Sequence, residues 1–472
     1  MHPFATLTGH SVEISAEALS TLASSLQGDL LTPGSSEYDE ARSIWNGMID
    51  RHPAAVARCR NPQDVAEAVR FARAHDLRIT VKGAGHNIAG NAVADGALMV
   101  DLSGMKGVEV DAAGRTARVE PGCTLADVDA ATQKHALAVP TGINSTTGIS
   151  GLTLGGGFGW LSRKHGLTVD NLLSAEVVTA TGERVTASAT ENPGLFWGIR
   201  GGGGNFGIVT AFNFQLHPLG PEVFSGLVVH PFDDAMTVLK GWRDFARQAP
   251  DELTVWVVMR KAPPLPFLPE SWHGKEVVIL AGHWAGDPND GERAFQPLRQ
   301  MGSPIADVMG LHPYAGWQQA FDPLLAPGAR NYWKTHNFHD LSDAALETMV
   351  RFAGQLPTPH CEVFLAQMGG AISRVPAGDT AYVGREIPFL MNIHGRWEDP
   401  AEDDAGVGWT RGLFDALTPH AAGTAYVNFM PQDESARVPA AYGENYERLR
   451  EVKTAWDPEN VFRFNQNIPP KG

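Results

Sequence analysis

Apolar and polar positions follow two rhythms along this chain, and the change from one to the other marks its elements. Within 64–72, Val65, Ala66, Ala68, Val69, Phe71 and Ala72 recur at helical spacing behind the cap Asn61-Pro62. A short strand at 56–59 precedes this helix and the β-branched run Arg78-Ile79-Thr80-Val81 follows it, giving strand, helix, strand. Further strands are read at 98–102, 116–120, 175–180 and 208–214; a helix opens behind Thr124, and 195–200 has helical character. Residues 1 to about 50 read as polar and helical, with a helix start at 15–19. After Pro218 and Pro221 the runs lengthen and alternate, as in Leu253-Thr254-Val255-Trp256-Val257-Val258-Met259 and Glu276-Val277-Val278-Ile279-Leu280. The pattern predicts an α+β protein whose second domain, starting near residue 220, is an antiparallel sheet covered by helices. Near the end, 446–453 is a charged helix stopped by Asp457-Pro458, and the apolar tail through 462–470 is expected to pack back on the first domain.

Glycine punctuates this pattern at three places. In Val81-Lys82-Gly83-Ala84-Gly85-His86-Asn87 a strand ends in a tight turn that lets backbone N–H groups approach a diphosphate and then presents one histidine. The stretch 142–159 is denser in glycine than a core segment needs, which suits a long flat ligand lying against main chain. The third cluster, Gly202-Gly203-Gly204-Asn205-Phe206-Gly207, satisfies the dinucleotide-binding letters G-x-G-x-x-G. Its context is reversed, with a helix before it and a strand after it, so a Rossmann unit is not predicted.

A length of 472 residues is about three typical domains. A net charge of -16 argues against general nucleic-acid binding, because phosphate backbones need a basic surface. Cys59, Cys123 and Cys361 are far apart and suggest neither a disulfide framework nor a zinc site. Met1-His2-Pro3-Phe4-Ala5 lacks a basic leader, and no stretch approaches the roughly 18 apolar residues of a membrane span, so a cytoplasmic location without a membrane partner is expected. Oligomeric state is not legible.

Five segments in a fixed order carry a resemblance: Gly85-His86-Asn87; the loop 148–157; Lys164-His165-Gly166-Leu167-Thr168-Val169-Asp170-Asn171; 195–209 from Leu195-Phe196-Trp197; and Asp457-Pro458-Glu459-Asn460-Val461-Phe462-Arg463. Together they resemble the berberine-bridge-enzyme-like flavoproteins, which share the PCMH-type FAD-binding fold of vanillyl-alcohol oxidase. The resemblance implies a two-subdomain FAD-binding domain (1–220), a substrate domain (221–425) and a C-terminal segment (426–472) returning to the first. It implies FAD as cofactor, joined through the ring of His86 to the flavin. Gly142-Ile143-Asn144 stands where many members have a cysteine that forms a second link, so a single tether is expected. Matching positions imply that Lys82, Gly83, Ala84, Gly85, His86 and Asn87 cradle the diphosphate. Thr141, Gly142, Thr146, Thr147, Gly148 and Gly151 line the ribityl chain and ring. Val169 and Asn171 support the ring, Gly207, Ile208 and Val209 hold the adenosine end, and Asn465 and Asn467 come from the tail. Gly155 and Gly156 are read as turn formers.

The implied activity is an FAD-linked oxidase that removes hydride from an alcohol or amine carbon of a small molecule, with O2 as acceptor and H2O2 as product. The alternative is a dehydrogenase, or a flavin-containing cyclase of secondary metabolism, that does not use O2. Thr147 matches the position that gates oxygen. Tyr426, from Tyr426-Val427-Asn428-Phe429, is the first candidate base, with Asn428 as its polar neighbour; Phe429 removes the second hydroxyl of a tyrosine pair. By period-two alternation Glu362 and Gln367 lie on opposite faces of one strand, with Gln367 taken as the substrate contact and Glu362 as a paired or solvated surface acid. His336-Asn337-Phe338-His339 lacks cysteine or acid partners and is read as a polar loop, so no metal is expected.

Overall fold

The computed structural model describes residues 3–472. Met1 and His2, with which the leader reading began, lie outside them.

Two sheets form the first half. In the smaller, the strands run in the order Asp29–Leu31, Ala55–Arg58, Leu98–Asp101, Ile79–Lys82; the last three are mutually parallel and Asp29–Leu31 is antiparallel to its neighbour. Helix Pro62–Ala74 makes the crossover, starting where the Asn61 side chain accepts from the N–H groups of Gln63 and Asp64. Its apolar side, Val65, Ala68, Val69 and Ala72, is fully buried in a shared core with Leu98 and Val100. The second sheet is antiparallel, in the order Arg184–Ser188, Leu172–Val178, Ile208–Gln215, Thr116–Val119, Val108–Asp111. The N-terminal 50 residues hold helices Ala16–Ser25 and Tyr38–Arg42, but also short strands at Phe4–Ala5, Ser11–Val12 and Asp29–Leu31. Segments this short display no period, so their pairing is decided by neighbouring strands rather than by their own pattern.

The large sheet begins at Glu222–Pro231. Its order continues Glu276–Trp284, Leu253–Lys261, Glu362–Gln367, Phe389–Trp397, Arg330–Phe338, all antiparallel, with Ala306–Asp307 and Gly310–Pro313 beside the first strand. Helices Ala235–Ala246, Asp343–Ala353 and Asp403–Leu417 cover one face, over a core containing Val255, Val257, Val363, Leu365, Met391 and Ile393. The alternate positions, among them Trp256, Val258, Phe364 and His394, face the opposite way into a cleft. His336 and Asn337 belong to strand Arg330–Phe338 and not to a polar loop; the His336 ring stacks on Phe414 at 4.1 Å and its Nε2 lies 3.0 Å from the Phe414 carbonyl.

The C-terminal helix Tyr446–Trp456 packs on helix Pro193–Ile199 in the first half. The segment beyond it is fixed by a buried ion pair. Lys453 Nζ donates to Asp457 (2.6 Å) and to the carbonyls of Asn205 and Phe462, while Asp457 accepts from the N–H groups of Val461 and Phe462. No helix among the described residues is long and apolar enough to cross a membrane.

Candidate active site

The cleft lies where the two halves face each other. Gly83, Ala84, Gly85, His86 and Asn87 enter it directly after strand Ile79–Lys82. Gly142, Thr147, Gly148 and Gly151 approach from the loop that becomes helix Ile149–Leu154; Gly207, Ile208 and Val209 come from the start of strand Ile208–Gln215, and Asn465 from the tail. Main chain makes much of this wall. A Cβ on Gly148 would come 2.9 Å from that of Ala84, so close approach of the two segments requires glycine there. A Cβ on Gly151 or Gly204 would meet no atom within 4 Å although both line the cleft, so a side chain at either would enter the space a flat cofactor needs.

His86 is the polar group at the turn's end. Its ring stacks on Trp45 with centroids 4.4 Å apart and planes 22° from parallel, and its Nε2 is buried without a hydrogen-bond partner. Burial, aided by the charge of Arg396, lowers its pKa to about 4 against the pull of a backbone hydrogen bond, so the ring is neutral near pH 7. An unpartnered buried nitrogen costs about 1–3 kcal/mol, a cost that bonding to a cofactor removes. Glycine wall and unsatisfied imidazole fit a flavin nucleotide.

In the same cleft, the Tyr426 hydroxyl accepts from Asn428 Nδ2 (2.9 Å) and from the Gly157 N–H (3.2 Å). Burial pushes the phenol up to about 12 even though both bonds favour the phenolate, so Tyr426 keeps its proton near neutral pH. Tyr426 also belongs to a closed collar of seven rings that all line the cleft. Successive centroids are Tyr426–Phe158 5.1 Å, Phe158–Trp256 5.7 Å, Trp256–Phe364 5.1 Å, Phe364–His394 6.1 Å, His394–Trp333 4.4 Å, Trp333–Phe429 5.7 Å and Phe429–Tyr426 4.9 Å.

Charge enters through one cross-strand row. Arg260, Glu362 and His394 are in register on three adjacent strands. Glu362 Oε2 accepts from Arg260 Nη1 and its Oε1 from His394 Nδ1, both at 2.8 Å. Burial alone would raise the Glu362 carboxyl, but Arg260 and the His394 hydrogen bond outweigh it and hold the pKa at about 2.

Several residues expected at the site lie elsewhere. Gln367 faces away from the cleft: its side chain accepts from the Val255 N–H (3.0 Å) and donates to the Ala246 carbonyl (2.9 Å), tying its strand to Leu253–Lys261 and to the end of a covering helix. Glu362, set aside as a surface acid, is buried and lines the cleft. The alternation is as read and the faces are exchanged. Lys82 sends its ammonium to the Ala41 carbonyl (2.6 Å) rather than toward a diphosphate. Thr141 accepts from Gln318, and Thr146 is exposed and bonded to Asn144. Val169 is buried in the aromatic core behind the cleft, Asn171 donates to the carbonyls of His165 and Leu167, and Asn467 lines a neighbouring recess. Trp45, Arg260, Trp333 and His394 escaped the sequence reading; for Arg260 the signal was its even position in the alternation of Leu253–Lys261.

Comparison with known proteins fits this geometry. Residues 53–188 match the family described as FAD binding domain, and residues 425–469 the family described as berberine and berberine like. The FAD-linked oxidoreductase YgaK of Bacillus subtilis is 33% identical over 459 residues, covering 94% of this chain and 97% of its own. The (R)-6-hydroxynicotine oxidase of Paenarthrobacter nicotinovorans is 30% identical over 473 residues, covering 95% and 98%. The crystal structure of 6-hydroxy-D-nicotine oxidase from Arthrobacter nicotinovorans superposes with a TM-score of 0.84 at 28% identity, covering 97% of this chain and all of that one. Fold and cleft define an FAD-binding enzyme. The chain belongs to the berberine-like FAD-linked oxidoreductases.

Proposed function

We propose that the enzyme is an oxidase in which FAD is tethered once, through His86, and which removes hydride from an alcohol or amine carbon of a small molecule, with O2 as acceptor and H2O2 as product. The observation carrying this reading is the neutral, unpartnered His86 in a glycine-walled cleft that the aromatic collar also lines. Bound flavin supplies the two-electron acceptor. The chain supplies placement: the collar excludes water and sandwiches planar groups, and protonated Tyr426, held by Asn428, offers its O–H to a substrate heteroatom. Asn144 occupies the second-link position and spends its Oδ1 on the Thr146 N–H and hydroxyl, which supports one tether and not two. Thr147 lines the cleft with a side chain small enough to leave oxygen a path.

Acid precipitation of the purified protein tests the tether, with flavin expected in the pellet. Peroxide release with aromatic alcohols and amines tests the acceptor. Anaerobic reduction by substrate followed by no reoxidation in air would select the O2-independent dehydrogenase or cyclase alternative.

A further inference from the structure

The oxidase reading leaves open which group takes the substrate's proton. Tyr426 is a poor acceptor, since it already carries its own proton and accepts two hydrogen bonds. The other polar group in the collar is differently built. His394 gives its Nδ1 to Glu362, and because that carboxylate is ionised the shared proton lies on the imidazole side. Nδ1 is therefore the donor, and in the neutral ring the lone pair sits on Nε2. Nε2 has no hydrogen-bond partner among the described residues, and the ring lines the cleft. Its orientation is set from both sides, by Glu362 at one edge and by the Trp333 ring stacked on its face at 4.4 Å and 13°.

We propose that His394 Nε2 accepts the proton of the substrate's hydroxyl or amine, with Glu362 as the residue that positions it and Arg260 as the residue that keeps Glu362 charged. The step moves one proton from the substrate O–H or N–H to Nε2. Nδ1 keeps its hydrogen and its bond to Glu362, so the imidazolium is formed beside a carboxylate. The charged groups facing His394 are Glu362 and Arg260 on the strands to one side and Arg396 two residues along its own strand; the strand on the other side presents Trp333. Arg260 has its Nη1 on Glu362, and Arg396 lies over Trp45 at 5.2 Å and donates to the Ala326 and Asn331 oxygens, so each cation is engaged elsewhere. The proposal rests on the oxidase reading for its reaction, but not for its geometry.

The probe is 4-nitrophenol, a planar ring with one ionisable hydroxyl that suits the collar and whose absorbance separates phenol from phenolate. Added to the flavin-loaded protein at a pH below its own pKa, it is expected to bind as phenolate. The phenolate signal should fall at least tenfold in His394→Gln and persist in Tyr426→Phe. Phenolate undiminished in His394→Gln, or binding to the wild type only as neutral phenol or not at all, would overturn the proposal. Nitrogen-15 NMR of the wild-type histidines, with His394 assigned by its absence from the variant, needs no variant to bind anything: a proton on Nδ1 with bare Nε2 is expected, the reverse tautomer refutes it, and Glu362→Gln should mix the two. The tautomer is read with or without flavin. A chain that carries no flavin therefore sinks the oxidase reading alone, while a reversed tautomer sinks this proposal alone.

Discussion

The rings of His86 and Trp45 are stacked 4.4 Å apart, and Trp45 is itself wedged edge-on against Trp333 at 5.5 Å with the Arg396 guanidinium over it. His86 and Trp45 both come from the first half, and Trp333 and Arg396 from the large sheet, so the ring that stacks on the histidine is itself held by contacts that exist only when both halves are assembled. His86→Ala should therefore release all flavin into the supernatant on acid precipitation. Trp45→Ala, which removes only the stacking surface, should lower the covalently held fraction without abolishing it. Covalent flavin retained by His86→Ala would rule this residue out as the attachment point.

Much of the first half was legible because its elements are long enough to show a period and its turns are marked by glycine. Asn61 and Thr124 each cap the helix the sequence predicted, Thr124 in a capping box with Asp127. The glycines were informative for the same reason, since close approach of main chain leaves a compositional trace. Which face of Glu362–Gln367 looks into the cleft left none. Every residue of Glu362–Gln367 and of Phe389–Trp397 is buried, and Glu362–Gln367 puts one polar residue on each face, whereas in Phe389–Trp397 Asn392, His394 and Arg396 alternate with Met391, Ile393 and Trp397. Glu362 was hidden by that symmetry and Gln367 was chosen in its place, while the signal for His394 was the alternation of Asn392, His394 and Arg396.

The corrected position of Gln367 makes its own prediction. Gln367→Ala removes the side chain that bridges two buried backbone groups, leaving the Val255 N–H and the Ala246 carbonyl unpaired. Thermal or urea unfolding should show a loss of about 1–3 kcal/mol. Because the side chain is on the helix-covered face, KM should be unchanged; a large rise in KM at intact stability would restore it as a substrate contact.

Lys453 and Asp457 are both fully buried, and their removal has unequal consequences for the two ends of the chain. The pair fixes the turn that delivers Phe462, Phe464, Asn465 and Gln466 to the cleft. Lys453→Met leaves a buried carboxylate without its cation and should cost about 3–5 kcal/mol. Limited proteolysis should then cut first within 457–472, ahead of the sheets. Cleavage spread evenly along the chain would contradict the anchoring role.

Asp129, on helix Leu125–Thr132, has its carboxyl raised to about 7 by burial, which a hydrogen bond from Gln318 only partly offsets. Gln318 also donates to Thr141 Oγ1 and to the Gly142 carbonyl, so the protonation of Asp129 bears on the loop that walls the cleft. The sign follows from linkage. A carboxyl that holds its proton more tightly folded than unfolded contributes stability that is complete below its unfolded value of 3.8 and is lost as pH rises through about 7. Asp129→Asn carries an amide in place of the protonated acid and has nothing to lose over that interval. The wild-type Tm should thus fall relative to that of Asp129→Asn between about pH 4 and about pH 7, with the two curves closest at the acid end. Parallel curves across the range would mean that Asp129 is ionised in the fold and that the Gln318 bridge is made to a carboxylate.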